Sequence, residues 1–158
     1  MLITEPDDRD RRWLQMAVDL SRECPPSEMA YAVGAVLVDR TGAELAHGRS
    51  RETDPHVHAE EAALAKLDSA KLDRGTDLGG ATLYSSLEPC SSRRSRPRTC
   101  TELILAAGIR RVVITLREPP VFVRCEGVAL LRRAGVEVVE IPELADQVRS
   151  INANLLVG

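Results

Sequence analysis

His58-Ala59-Glu60, followed some thirty positions later by Glu88-Pro89-Cys90 and then by Cys100, limits the folds open to this chain more than any other feature. One imidazole and two thiols are donors of the kind Zn²⁺ prefers. A set of three protein ligands leaves a fourth position for water. To serve as one set, positions 58, 90 and 100 must meet at a point. Residues two apart do not share a face in mid-helix. His58 and Glu60 can therefore address the same water only if the site lies in front of a helix N-terminus. Asp54-Pro55 upstream and the Ala/Leu-rich stretch downstream place them at such a start.

The surrounding pattern supplies the frame. Helical spacing of Trp13, Met16, Ala17 and Leu20 predicts a helix over 8–24, ended by Pro25-Pro26. Strands are predicted over 33–39 and 44–48, joined as a hairpin through Arg40-Thr41-Gly42. A helix is expected over 59–72, a strand over 81–86 running into Glu88-Pro89-Cys90, and a helix over 97–107 with Pro97 in its first turn and Gly108 as its cap. Strand 111–116, helix 125–134, strand 136–141 and a closing amphipathic helix over 142–156 complete an α/β sandwich with five strands and five helices. No repeat or linker divides it, so residues 1–158 are read as one domain. Cys90 then follows a strand and Cys100 falls in a first helical turn, where the helix dipole favours a thiolate.

No apolar run is long enough to cross a bilayer. Residues 1–12 are acidic and Arg-rich, without the apolar core of a signal peptide. The expected compartment is the cytoplasm, where thiols stay reduced, which favours metal ligation over a disulfide for Cys90 and Cys100. Cys24 and Cys125 stand apart from the other His and Cys donors and read as buried or idle thiols. A net charge of −3 and only four aromatic residues argue against nucleic-acid binding.

With these residues in place, the chain resembles the cytidine deaminase-like superfamily, and within it the pyrimidine deaminases of riboflavin biosynthesis. Thr82-Leu83-Tyr84-Ser85-Ser86-Leu87-Glu88-Pro89-Cys90-Ser91 and the stretch from Cys100 through Gly108 to Val113 carry the likeness. It continues through Glu118-Pro119 and Gly127 to Val136. Nine residues between the cysteines, and Ala30-Tyr31-Ala32-Val33-Gly34 in place of an Asn-Pro before the first strand, resemble the stand-alone fungal type more than the bacterial bifunctional type.

That resemblance implies a three-layer α/β/α sandwich around a five-stranded mixed sheet. It further implies Zn²⁺ held by His58, Cys90 and Cys100, with Glu60 as general acid and base. The reaction would remove an exocyclic amine hydrolytically from a diaminopyrimidine phosphate, the ribitylamino form favoured over the ribosylamino form. With the sequence ending at Gly158, a stand-alone deaminase without the fused reductase is expected. A homo-oligomer, most simply a dimer, is implied as well, with Val121-Phe122-Val123 as a contact face. Other readings remain open: a nucleoside, nucleotide or free-base deaminase, a tRNA-editing enzyme, or a non-catalytic scaffold stabilised by zinc.

Substrate contacts are read from charge and position. Arg93-Arg94-Ser95-Arg96-Pro97-Arg98 is the densest positive stretch and lies between two ligands, so Arg93 and Arg96 are candidates for a phosphate. A solvated basic loop is the plain alternative. Arg51 is a second phosphate or sugar candidate, against a surface ion pair with Glu52 or Asp54. The backbone around Ala59 and Leu87 to Cys90 is expected to frame the base, and Ser91 is a further substrate-binding candidate. His56 is expected to face solvent, although it is the one nearby fourth ligand that would close the site, and His47 to serve core or surface.

Overall fold

The computed structural model describes residues 5–70, 78–93, 97–119 and 125–156. Helix α1 (Asp8–Ser21) leads to a hairpin of β1 (Gly34–Val38) and β2 (Glu44–Arg49), and then to α2 (Ala59–Ala70). Strand β3 (Thr82–Ser85), helix α3 (Cys100–Ala107), β4 (Arg111–Ile114), α4 (Gly127–Arg133) and β5 (Glu137–Glu140) follow, and α5 (Ala145–Ile151) and α6 (Ala153–Leu156) end the described chain. The sheet order is β2-β1-β3-β4-β5. Strand β1 runs antiparallel to β2 and β3, whereas β3, β4 and β5 are parallel, so the sheet is mixed.

Alternation along each strand sorts side chains onto two faces. Ala35, Leu37, Leu83, Val112, Ile114 and Val138 share one cluster with Leu67 of α2, Ile104 of α3 and Leu131 of α4. Val36, Val38, Tyr84, Val113 and Val139 pack on the other face against Leu14 and Ala17 of α1. Val148 of α5 joins Val18 and Tyr31 on that second side. Two helical layers thus sandwich the sheet, as expected.

Polar groups anchor α1 to the sheet. Asp7 and Asp10 form a reciprocal capping box at its start. Asp10, 3% exposed, also accepts from the Tyr84 hydroxyl at 2.7 Å and from both terminal nitrogens of Arg111 at 2.8 Å. These bonds tie α1 to β3 and β4.

Several boundaries differ from expectation; α1 ends at Ser21 and β4 at Ile114, short of the expected 24 and 116, and two further differences have a visible cause. The helix predicted over 97–107 begins at Cys100, because Thr99 is extended and forms a capping box with Glu102, leaving Pro97 outside. The helix predicted over 142–156 is broken into a 3₁₀ turn (Pro142–Leu144), α5 and α6. At the break, the Asn152 side chain accepts from the Ala32 N–H at 2.8 Å and donates to the Ala32 carbonyl at 3.2 Å. Gly108 caps α3 as expected, with φ of 80°. Val121-Phe122-Val123 and Arg96 lie outside the described residues. Among the described residues, no helix is long and apolar enough to cross a membrane.

Candidate metal centre

His58 directly precedes α2, Glu60 occupies the first turn of that helix, Cys90 lies on the loop after β3, and Cys100 is the first residue of α3. This is the carboxyl side of parallel strands β3 and β4, where open α/β sheets place their sites. One ligand atom from each of His58, Cys90 and Cys100 lies within 4.8 Å of the other two. Nδ1 of His58 is 3.4 Å from Sγ of Cys100, and the Cys100 N–H donates to Sγ of Cys90 at 3.2 Å. Thr101 fixes the Cys90 carbonyl from the same helical turn, through its N–H at 3.1 Å and its hydroxyl at 2.8 Å. The start of α3 thus positions both thiols. Among the described residues the cluster has no fourth His, Cys, Asp or Glu, and His56 is exposed.

The charges are strongly coupled. Burial opposes a charged His58, but the hydrogen bond and negative charge of Cys90 outweigh it and raise its pKa. The hydrogen bond from Cys100 holds Cys90 well below a free thiol, and the same bond with burial holds Cys100 well above one. Glu60 is 3% exposed, and burial raises its carboxyl, with Cys90 adding to the effect and His58 opposing it. A buried carboxyl that retains a proton readily, beside a cluster of soft donors, is suited to proton transfer at a bound water. Two thiols and an imidazole, with no fourth protein donor among the described residues, fit Zn²⁺ in an open site.

The other candidate residues fall as follows. Ala59 is fully buried at the head of α2. The Ser91 hydroxyl accepts from the Glu126 N–H at 2.7 Å, just ahead of α4. Arg51 has φ of 59° and donates to the carbonyls of Tyr31 at 3.2 Å and Pro25 at 2.6 Å. Glu52, its proposed surface partner, pairs with Lys66 at 2.8 Å and Arg49 at 3.5 Å. The Arg93 side chain is 3% exposed and bonds to Glu61 and to main-chain carbonyls, so this part of the basic stretch is not solvated. His47 pairs with Glu44 at 3.0 Å.

Three carboxylates around the centre were given no role from sequence, although Glu88 and Glu118 stand in the stretches that carry the resemblance. Glu61 accepts from the His58 N–H at 3.2 Å, and its place three residues after His58 is the spacing of a capping box. Glu88, 5% exposed, accepts from the N–H groups of Glu118 at 2.9 Å and Val128 at 2.8 Å, binding the loop after β4 and the start of α4 to the Cys90 loop. Glu118 is half-buried after β4. Burial pushes its carboxyl up to about 7; a bond with Cys125 opposes this, and the negative charges of Cys90, Glu88 and Glu60 add to it. Its place at the carboxyl end of a parallel strand was the available signal.

Comparison with known proteins agrees with this geometry. Residues 7–116 match the family model described as the cytidine and deoxycytidylate deaminase zinc-binding region. The diaminohydroxyphosphoribosylamino-pyrimidine deaminase of Schizosaccharomyces pombe is 40% identical over 141 residues, which is 89% of this chain and 34% of that protein. The chain therefore spans about a third of the length of the curated relatives it matches. Among solved structures, the deaminase/reductase of Thermotoga maritima is 33% identical with a TM-score of 0.71, covering 90% of this chain and 39% of the other. The Aspergillus oryzae Rib2 deaminase in complex with DARIPP shares the fold, with a TM-score of 0.70 over 96% of this chain and all of that one, at 19% identity.

Proposed function

This chain belongs to the family of the cytidine and deoxycytidylate deaminase zinc-binding region, and on that premise we propose that it hydrolytically deaminates a diaminopyrimidine phosphate in riboflavin biosynthesis. The observation that carries this reading is the convergence of His58, Cys90 and Cys100 within 4.8 Å beside a buried Glu60. His58, Cys90 and Cys100 hold zinc, which when bound makes water acidic enough to act as a nucleophile near neutral pH.

Glu60 handles the protons. Its carboxylate takes one from the attacking water and passes it to a ring nitrogen; it then takes the second from the hydroxyl added to the carbon and gives it to the departing amine, so that a C–NH₂ group and water become a carbonyl and ammonia. Burial suits it to this task, since a carboxyl with a raised pKa holds the proton between transfers. Ala59 and the backbone from Leu87 to Cys90 frame the base. The phosphate is met by the basic stretch between the cysteines, where Arg98 is exposed.

Between the two sugar forms, the nine-residue span from Cys90 to Cys100 supports the ribitylamino compound, while the name of the S. pombe relative supports the ribosylamino one. Ammonia release by the zinc-loaded protein is measured on both in parallel, with Glu60→Ala as control. Turnover of one fixes the substrate. Silence on both, with dCMP or cytidine turned over instead, replaces this reading by nucleotide or nucleoside deamination. A cytoplasmic homodimer belongs to the same proposal, and sedimentation analysis tests its assembly.

A further inference from the structure

The guanidinium of Arg93 touches the approaches to every proposed metal ligand. It stands three residues after Cys90. Nη2 donates at 2.8 Å to the carbonyl of His56, two residues before His58. Nη1 donates at 3.5 Å to the carbonyl of Arg98, two residues before Cys100. Both terminal nitrogens reach Oε1 of Glu61 at 3.3 Å, and that same oxygen accepts the His58 N–H at 3.2 Å. The side chain is 3% exposed and its partner Glu61 only 23% exposed.

From this we infer that Arg93 is a positioning residue for the metal centre, a staple that preassembles the three ligand segments. Fixing the ligands before the metal arrives removes ordering cost from the binding step. The planar fork of arginine suits the task because it serves several acceptors at once, which an ammonium on a flexible stem does not do in the same geometry. Its Nε is buried without a partner among the described residues, so the side chain is held inward by the bonds of its two terminal nitrogens. These bonds are to protein groups, which separates Arg93 from a phosphate ligand.

The inference rests on the zinc reading above, and one experiment separates their failures. Zinc affinity of the full chain is measured by competition with a chromogenic chelator, and the cobalt(II)-substituted protein is followed by its visible absorption. Removing an outer partner of a metal site costs about 10–100-fold in affinity. Arg93→Met is expected to lose that much and to shift the cobalt bands, Arg93→Lys to recover only part of it, and exposed Arg133→Ala to match wild type. Should Arg93→Met fail to fold, Glu61→Gln carries the test, since it keeps an acceptor for His58 while removing the charge, and it too is expected to weaken binding. Wild-type zinc affinity and cobalt bands in Arg93→Met, or in Glu61→Gln in its place, overturn the staple alone. A raised KM with unchanged zinc affinity overturns it in favour of a phosphate contact. A wild-type chain that takes up no zinc overturns the metal centre and the staple together.

Discussion

Nδ1 of His58 lies 3.4 Å from Sγ of Cys100, although 42 positions separate the two residues. The closeness follows from the fold. Helices α2 and α3 pack on one face of the sheet, with Leu67 and Ile104 in the same cluster, and both begin on the side where β3 and β4 end. An imidazole ahead of one helix and a thiol at the head of the next are thereby brought together, and the loop after β3 adds the second thiol.

Replacing any one of these donors leaves two, too few for a tight site. Cys100→Ser is expected to reduce zinc content from about one per chain to near zero, as measured by elemental analysis. Chelation of zinc from the wild type is expected to lower its Tm, because a ligand at a thousand-fold excess over Kd stabilises the folded state by about 4 kcal/mol. Full zinc content in Cys100→Ser would remove that residue from the ligand set.

Glu60 is not among the proposed ligands, so its loss separates chemistry from metal binding. Glu60→Gln keeps the volume and removes the exchangeable proton. Zinc content is expected to stay at the wild-type level while ammonia release falls by about 10²–10⁴-fold, the usual worth of a positioned proton shuttle. A variant that turns over at the wild-type rate would assign the proton transfers elsewhere.

Much of this was legible because the local patterns are simple. Short apolar runs in Val33-Gly34-Ala35-Val36-Leu37-Val38 and in Arg111-Val112-Val113-Ile114 marked strands, and donors after a predicted strand and at predicted helix starts marked the centre. Thr99 and Glu102 also carry the capping-box spacing that moves the start of α3 to Cys100, a signal stronger than a proline near the first turn. Two features were out of reach. Asn152 breaks the last helix by bonding to Ala32, which lies 120 positions away, so no local pattern announces it. Arg93 has the charge of a solvated or phosphate-binding loop, and two of its acceptors are main-chain carbonyls, which residue types do not reveal.

The Asp10–Arg111 pair gives a pH-dependent stability. Burial works to raise the Asp10 carboxyl, but bonds from Arg111 and Tyr84 outweigh it and bring it below its ordinary 3.8. A depressed carboxylate contributes stability above its unfolded pKa and loses it as pH falls through the folded one, here below about pH 4. Arg111→Met strands a buried carboxylate and is expected to cost about 3–5 kcal/mol at pH 7. The gap to wild type should narrow in urea titrations near pH 3, where Asp10 takes up its proton. A gap that is constant with pH would mean the cost is packing alone.

Gly127 lets α4 sit against the Cys90 loop. A Cβ there would fall 2.1 Å from the carbonyl oxygen of Pro89 and 3.3 Å from Cγ of Glu88, so Gly127→Ala must push helix and loop apart next to Cys90. The expected loss is about 1–3 kcal/mol in chemical denaturation, the range for overpacking, with weaker zinc binding as well. Unchanged zinc affinity would show that the Cys90 loop is held without α4.

Glu118 behaves oppositely to Asp10. With its carboxyl pushed up to about 7, chiefly by burial, the folded chain holds that proton more tightly than the unfolded chain, whose value is near the ordinary 4.5. Such a group contributes stability that is complete below the unfolded pKa and is lost as pH rises through the folded one, so the wild type weakens between about pH 4.5 and pH 8. Glu118→Gln cannot ionise and avoids the loss. It is expected to match wild type at pH 4 and to exceed it at pH 8 by about 1–3 kcal/mol, from 1.36 kcal/mol per pH unit with allowance for partial solvent screening. At about 2–4 °C per kcal/mol for a chain of this size, calorimetric scans at the two pH values resolve the difference. Equal Tm changes at pH 4 and pH 8 would show that Glu118 ionises freely in the folded chain.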